Sequence, residues 1–239
     1  MFMRKWPGVL IAFEGIDGSG LSTHSKLLYE YLTSIGYQKV YLTKEPTNSP
    51  IGNLIKDILQ RRTSNLTARP DLMALLFASD RIYHLFYEPI RWNNKIIKGI
   101  MRALEEGFIV ITDRYVYSSI AYQSIHDKKN NVRLSFNDVM RINWFVPDAD
   151  IVVFLDVPLS ICLERIKNVR GIIEAFENIE YLSEVYNNYI KLLDELKNKN
   201  IHIIVVKGVD EKGDVRSIDE VQDEIRRRVI DVLRHEIID

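Results

Sequence analysis

Cysteine is almost absent: one residue, Cys162, occurs in 239. A single thiol forms no internal disulfide, so a framework of bridges is excluded as the source of stability. Cys162 falls in an amphipathic segment, where a small buried side chain is its expected use. Long apolar runs are missing as well, since no stretch approaches the roughly 20 apolar residues of a spanning helix. The run within MFMRKWPGVLIAFEG has no small-residue cleavage pattern and leads straight into the first motif, so it reads as a strand, and a cytoplasmic, membrane-free protein is expected. An excess of one charge is also lacking, because 32 Lys and Arg stand against 33 Asp and Glu. A net charge of -1 gives no broad field to draw a polyanion, so no nucleic acid is expected, while a local basic pocket for phosphates remains open. Repeats, low-complexity tracts and linkers are absent from the sequence too. With 46% hydrophobic residues, a single α/β domain over 1–239 is expected.

What the sequence does contain is a regular alternation. Short runs of β-branched and aliphatic residues, each closed by polar or small residues, occur at Val9 to Phe13, Val40 to Thr43, Phe108 to Thr112, Ile151 to Asp156 and Ile201 to Val206. Unbroken apolar runs of this length fit strands covered on both faces. Segments long enough for one or more helices lie between them. The pattern predicts a doubly wound, five-stranded parallel sheet flanked by helices, with ligands beyond the carboxyl ends of the strands. The closing helix is the plainest: Ser217 and Glu220 have capping-box spacing, and Ile218, Val221, Ile225, Val229 and Val232 form one apolar stripe. His126 to Asn131 reads as a polar loop or insertion.

Directly after the first strand stands Gly15-Ile16-Asp17-Gly18-Ser19-Gly20-Leu21-Ser22-Thr23, followed by a helical pattern. Strand, glycine-rich loop and helix are the context of a phosphate-binding loop. Glycines let backbone N–H groups turn inward around phosphate oxygens, and the helix N-terminus adds its positive end. Ser22 is placed to hold Mg²⁺. The motif calls for lysine where this chain has Leu21, and losing one comparable donor to the transition state costs on the order of 10²–10³ in rate unless it is replaced. Lys26 is a poor substitute, being about 140° around the helix and more than a turn deeper.

Four further segments carry chemistry. Asp113 and Arg114 end the third strand, where a carboxylate supports Mg²⁺ and a guanidinium fork suits phosphate oxygens. Phe77 and Arg81 are four apart, so a ring and a guanidinium share one helical face. Ser118, Tyr122 and Gln123 follow the third strand closely. Together with Thr43-Lys44-Glu45-Pro46, Leu75-Leu76-Phe77-Ala78-Ser79-Asp80-Arg81, Ala121-Tyr122-Gln123 and Leu155-Asp156-Val157-Pro158, the loop resembles the thymidylate kinase family along nearly the whole chain, with an additional segment between His84 and Gly107. That resemblance implies a phosphate-loop nucleoside monophosphate kinase fold with a short lid, ATP as donor with Mg²⁺, dTMP as acceptor, and a homodimer. It implies that Phe77 and Arg81 meet the base, that Gln123 reads it, and that Tyr122 crowds the 2′ position. Asp17 resembles an acid touching the acceptor's sugar and arranging the reacting groups. Glu45 is similar to an acid near the metal and donor site, among the residues around the substrates, and Lys44 stands where many members have arginine.

Members of the family keep an auxiliary arginine either in the phosphate loop or in the lid, and Gly18 excludes the first place here. The lid falls near 168–178, and Arg170 is its expected cation, with Arg165 preceding it. Two alternatives stand beside the leading reading. One is a non-catalytic nucleotide-binding descendant of the family, which Leu21 favours; the other is a kinase for a different nucleoside monophosphate, which Phe77, Arg81, Tyr122 and Gln123 oppose.

Overall fold

The computed structural model describes residues 6–63, 66, 68–128, 131–170 and 179–234, with only the backbone described at 169 and 170. In chain order the elements are β1 (Val9–Glu14), α1 (Leu21–Ser34), β2 (Val40–Lys44), α2 (Pro50–Leu59), α3 (Pro70–Phe86), β3 (Pro89–Trp92), β4 (Lys95–Lys98), α4 (Gly99–Glu105), β5 (Ile109–Asp113), α5 (Val116–Gln123), β6 (His126–Asp127), β7 (Val132–Arg133), α6 (Phe136–Ile142), β8 (Ile151–Asp156), α7 (Leu159–Arg170), α8 (Ile179–Leu196), β9 (His202–Lys207) and α9 (Ile218–Val232).

The five apolar runs form one parallel sheet in the order β2-β5-β1-β8-β9. Every residue of β1 is buried, and so is every residue of β5, as expected of central strands covered by helices on both faces. β1 is flanked by β5 on one side and β8 on the other, so the loop leaving β1 opens at the point where the strand order reverses. Open α/β sheets bind ligands in that crevice. Register sets the level of the groups there: Phe13 and Lys44 both lie opposite Asp113 at the carboxyl edge.

The helices close the layers for reasons legible in their residues. Ser217 and Glu220 cap α9 reciprocally, and Val221, Ile225 and Val229 of the expected stripe are buried. Ser49 caps α2 by accepting from the N–H of Gly52, with Pro50 opening the helix. A small second cluster of Ile55, Ile58 and Met73 joins α2 to α3 beside the main core.

The segment between His84 and Gly107 contains a hairpin the sequence reading did not anticipate. β3 and β4 pair antiparallel, and the turn residues Asn93 and Asn94 both have positive φ, 45° and 60°. Two consecutive left-handed residues make the turn whose twist matches a two-residue hairpin, and asparagine tolerates that conformation. Of the expected polar loop at His126 to Asn131, His126 and Asp127 instead form β6, which pairs antiparallel with β7.

Candidate active site

Gly15 to Thr23 turn from the carboxyl end of β1 into α1, and Ile16 to Thr23 line a cavity of about 660 Å³. Gly20 caps α1 in the left-handed region, φ 101°, and contributes no side chain, so the first N–H groups of the helix face the loop. Gly18 has φ 83°, and a Cβ there would lie 2.4 Å from the carbonyl oxygen of Cys162. α7 therefore packs directly on the loop. Ile16 is buried, and the buried Ser19 hydroxyl has no hydrogen-bond partner. Leu21 is 5% exposed and belongs to the main core. Lys26 is exposed, pairs with Glu30 and does not line the cavity.

Ser22 donates to the Asp113 carboxylate at 2.5 Å, joining the two proposed metal-binding residues at the loop's edge. Hard oxygen donors of this kind suit Mg²⁺, which takes one or two protein oxygens and fills its remaining positions with phosphate and water. No group of three or more His, Cys, Asp or Glu side chains able to hold a metal occurs among the described residues.

Arg114 follows Asp113 with φ 71°, an uncommon conformation for a residue other than glycine. Its N–H donates to the carbonyl of Phe13, and its own carbonyl accepts from Thr112 Oγ1, which hold it there. The guanidinium reaches the Gly15 carbonyl and Ser118 Oγ at 3.0 Å each, and Asp17 Oδ1 at 2.8 Å. Tyr122 donates to the other Asp17 oxygen at 2.9 Å and lies under the Arg114 guanidinium, 5.1 Å from its ring centroid. Asp17, Arg114, Ser118 and Tyr122 thus form one network on the floor of the cavity.

Beneath it lies a residue the sequence reading passed over. Glu14, the last residue of β1, is 1% exposed. It accepts from the N–H groups of Tyr115 and Ser118, from Ser118 Oγ at 2.6 Å and from the Tyr189 hydroxyl of α8 at 2.8 Å. Burial pushes its carboxyl up to about 7, against these donors and the Arg114 charge. A glutamate closing an otherwise apolar strand was the available signal.

The second wall comes from α3. Phe77 is half-buried, packing against the α2–α3 cluster while lining the cavity. Arg81 is 1% exposed. Its guanidinium donates to both oxygens of Glu45, to Asn143 Oδ1 and to Ser119 Oγ. These bonds occupy four of its five N–H groups. Burial raises the Glu45 carboxyl, but Arg81 and His84 outweigh it and hold it below its ordinary value. Glu45 therefore serves as the fixed counterion of Arg81, with His84 Nδ1 3.1 Å from the same carboxylate. Asn143 and Ser119 were not visible as partners, because they lie 62 and 38 residues away in sequence. Gln123 is 5% exposed, and its Oε1 is buried with no partner.

The third wall is α7 with the β9–α9 connection. Arg165 is half-buried and donates to the Gly18 carbonyl at 3.3 Å. His24 stands nearby on α1 with Nδ1 2.9 Å from Gln222 Oε1, and its imidazole is lowered by burial, with the Arg165 charge acting in the same direction. Cys162 is fully buried and its thiol is pushed up to about 12, chiefly by burial, which leaves it no nucleophilic role. The Arg170 side chain and residues 171–178, which hold most of the expected lid, lie outside the described residues.

A parallel sheet with this loop at its switch point, a Ser–Asp pair beside it and one cavity running from the loop to α3 define a phosphate-loop nucleoside monophosphate kinase fold. The family model described as Thymidylate kinase matches residues 13–218, and the chain belongs to the thymidylate kinase family. A thymidylate kinase relative from Aeropyrum pernix is 38% identical over 225 residues, covering 94% of this chain and 97% of its own length. One from Pyrococcus horikoshii is 35% identical over 236 residues, covering 97% and 98%. Among solved structures, the thymidylate kinase of Candida albicans superposes with a TM-score of 0.70 at 27% identity, covering 98% of this chain and 96% of that one. That of Ehrlichia chaffeensis gives 0.67 at 26% identity, covering 93% and 100%.

Proposed function

We propose that this chain transfers the γ-phosphate of ATP to dTMP, giving dTDP and ADP. The observation that carries the acceptor is the buried, unpartnered Gln123 Oε1, in one cavity with the Phe77 ring and the remaining N–H of Arg81. A pyrimidine with an imide edge answers all three: its N3–H donates to Gln123, its O4 accepts from Arg81 and its face stacks on Phe77. Cytosine presents an amino group where Arg81 needs an acceptor, and arginine has none to offer. Tyr122, tied to Asp17, closes the side where a ribose 2′-hydroxyl would sit.

Arg114 holds the acceptor phosphate, and the N–H groups of Gly15 to Thr23 hold the donor phosphates. Ser22 and Asp113 are the residues that would hold Mg²⁺, whose charge offsets that of the phosphate oxygens. An oxygen of the dTMP phosphate attacks the γ-phosphorus in line, the bond to the β-phosphate oxygen breaks, and ADP leaves. Catalysis is then positioning and charge stabilisation, with no covalent enzyme intermediate.

A homodimer is supported by the family and by α3, which leaves Leu75, Ile82 and Phe86 exposed at helical spacing on one side. Among the described residues no helix is long and apolar enough to cross a membrane. Equilibrium titration of dTMP against dCMP tests the acceptor assignment. dTMP is expected to bind at least about 10-fold more tightly, the scale of one unpaired buried polar group. Equal affinities would remove Gln123 and Arg81 from base recognition.

A further inference from the structure

The phosphate loop has lost its lysine, and Leu21 in that place is packed in the core. A cation facing the donor phosphates must then come from elsewhere in the cavity wall. Most of the candidates are already engaged. Arg81 is held by Glu45, Arg114 by Asp17, and Arg216 by Glu224 at 2.8 Å. Lys56 donates to the Thr47 carbonyl and to Asn48. Lys44 is exposed at the end of β2, level with Asp113, and its charge adds to the burial that lowers the Lys56 amine. β5 stands between the Lys44 strand and β1, from which the loop leaves.

Arg165 differs from the other arginines of the cavity wall. Among the described residues it has no carboxylate partner, and its guanidinium donates to the Gly18 carbonyl at the tip of the loop. α7 seats it there rigidly, because the Cys162 carbonyl one turn earlier lies where only a glycine fits at position 18. A half-buried guanidinium with most of its N–H groups unspent, fixed against a loop built for phosphate, favours an anion beside it.

We propose that Arg165 supplies the charge that the missing lysine would have brought, donating to the phosphates of the nucleoside triphosphate as they settle into Gly15 to Thr23. This rests on the donor assignment above. The group enters from α7, whereas a lysine at position 21 would enter from α1. A chain that keeps Arg165 in this position can hold a leucine at the start of α1 and still neutralise the donor.

The test separates phosphate contact from a contact with the donor's base by using a ligand that has no base. Binding of inorganic tripolyphosphate with Mg²⁺ is measured by calorimetry on the wild type, Arg165→Ala, Arg165→Lys and the double variant Leu21→Lys/Arg165→Ala. Arg165→Ala should weaken tripolyphosphate binding about 10–100-fold, the loss expected for a charge-assisted hydrogen bond. Arg165→Lys should lose less, and Leu21→Lys should restore binding in the Ala background. Weakened ATP binding with unchanged tripolyphosphate binding would assign Arg165 to the base and overturn the inference. So would failure of Leu21→Lys to restore binding in a folded double variant, or no tripolyphosphate binding by the wild type. If tripolyphosphate behaves as expected while the wild type phosphorylates no monophosphate, Arg165 keeps its role and the proposed reaction falls instead.

Discussion

Arg81 and Glu45 are locked together in the interior, 1% and 2% exposed at their side chains, with an Nη2–Oε2 distance of 2.5 Å. The pair joins α3 to the end of β2, and it fixes the one guanidinium N–H left over for a ligand. A buried charge with its partner removed costs far more than the pair contributes. Glu45→Ala should therefore lower unfolding free energy by about 3–5 kcal/mol, read by urea denaturation. Replacing both, as Glu45→Leu with Arg81→Met, should recover most of that stability without recovering dTMP binding. Recovery of dTMP binding in the apolar pair would show that Arg81 does not touch the acceptor.

Phe77 divides its surface between the α2–α3 cluster and the cavity. Phe77→Ala should weaken dTMP binding by about 1–3 kcal/mol through lost stacking, and leave ATP affinity nearly unchanged. Calorimetric titration of both ligands checks this. An equal loss for ATP and dTMP would mean that the ring supports the fold alone.

The two halves of that expectation came from different places. Sequence spacing put Phe77 and Arg81 on one helical face, and family resemblance gave that face a base to read. Neither could supply Glu45 as the counterion or Asn143 as a second acceptor, since those contacts bring together residues 36 and 62 positions apart. The sheet was legible because each central strand is apolar on both faces, and the phosphate loop because its glycines follow the first strand directly. The β3–β4 hairpin escaped because its signal is two asparagines, which also read as a simple polar turn. Arg165 could be read only as preceding the expected lid cation, because the packing of α7 on Gly18 that brings it to the loop is not visible in spacing.

Glu14 gives a pH dependence of stability with a definite sign. Its carboxyl is raised from 4.5 to about 7 in the folded protein, chiefly by burial. A raised acid holds its proton in the native state while the unfolded chain has already released it, so stability is full below about 4.5 and declines as pH rises towards 7. Across that window the wild type should lose on the order of 3 kcal/mol relative to Glu14→Gln, which cannot ionise. Urea denaturation of both proteins at intervals from pH 4.5 to 8 measures the difference. Parallel curves would show that Ser118, Tyr115, Tyr189 and Arg114 together keep Glu14 ionised at its ordinary value.

In the proposed reaction the cavity holding Phe77, Arg81, Tyr122 and Gln123 accepts dTMP, and the loop carrying Leu21 still delivers phosphate to it. The most direct measurement is steady-state turnover in an assay coupled to ADP release, with ATP and Mg²⁺ against dTMP, dCMP, UMP and AMP. Measurable turnover is expected, with the highest kcat/KM for dTMP and a clear loss for UMP as the proposed crowding of the 2′-hydroxyl by Tyr122 requires. UMP or AMP phosphorylated as fast as dTMP would contradict the acceptor assignment, and no turnover with any monophosphate would contradict catalysis by a loop without its lysine.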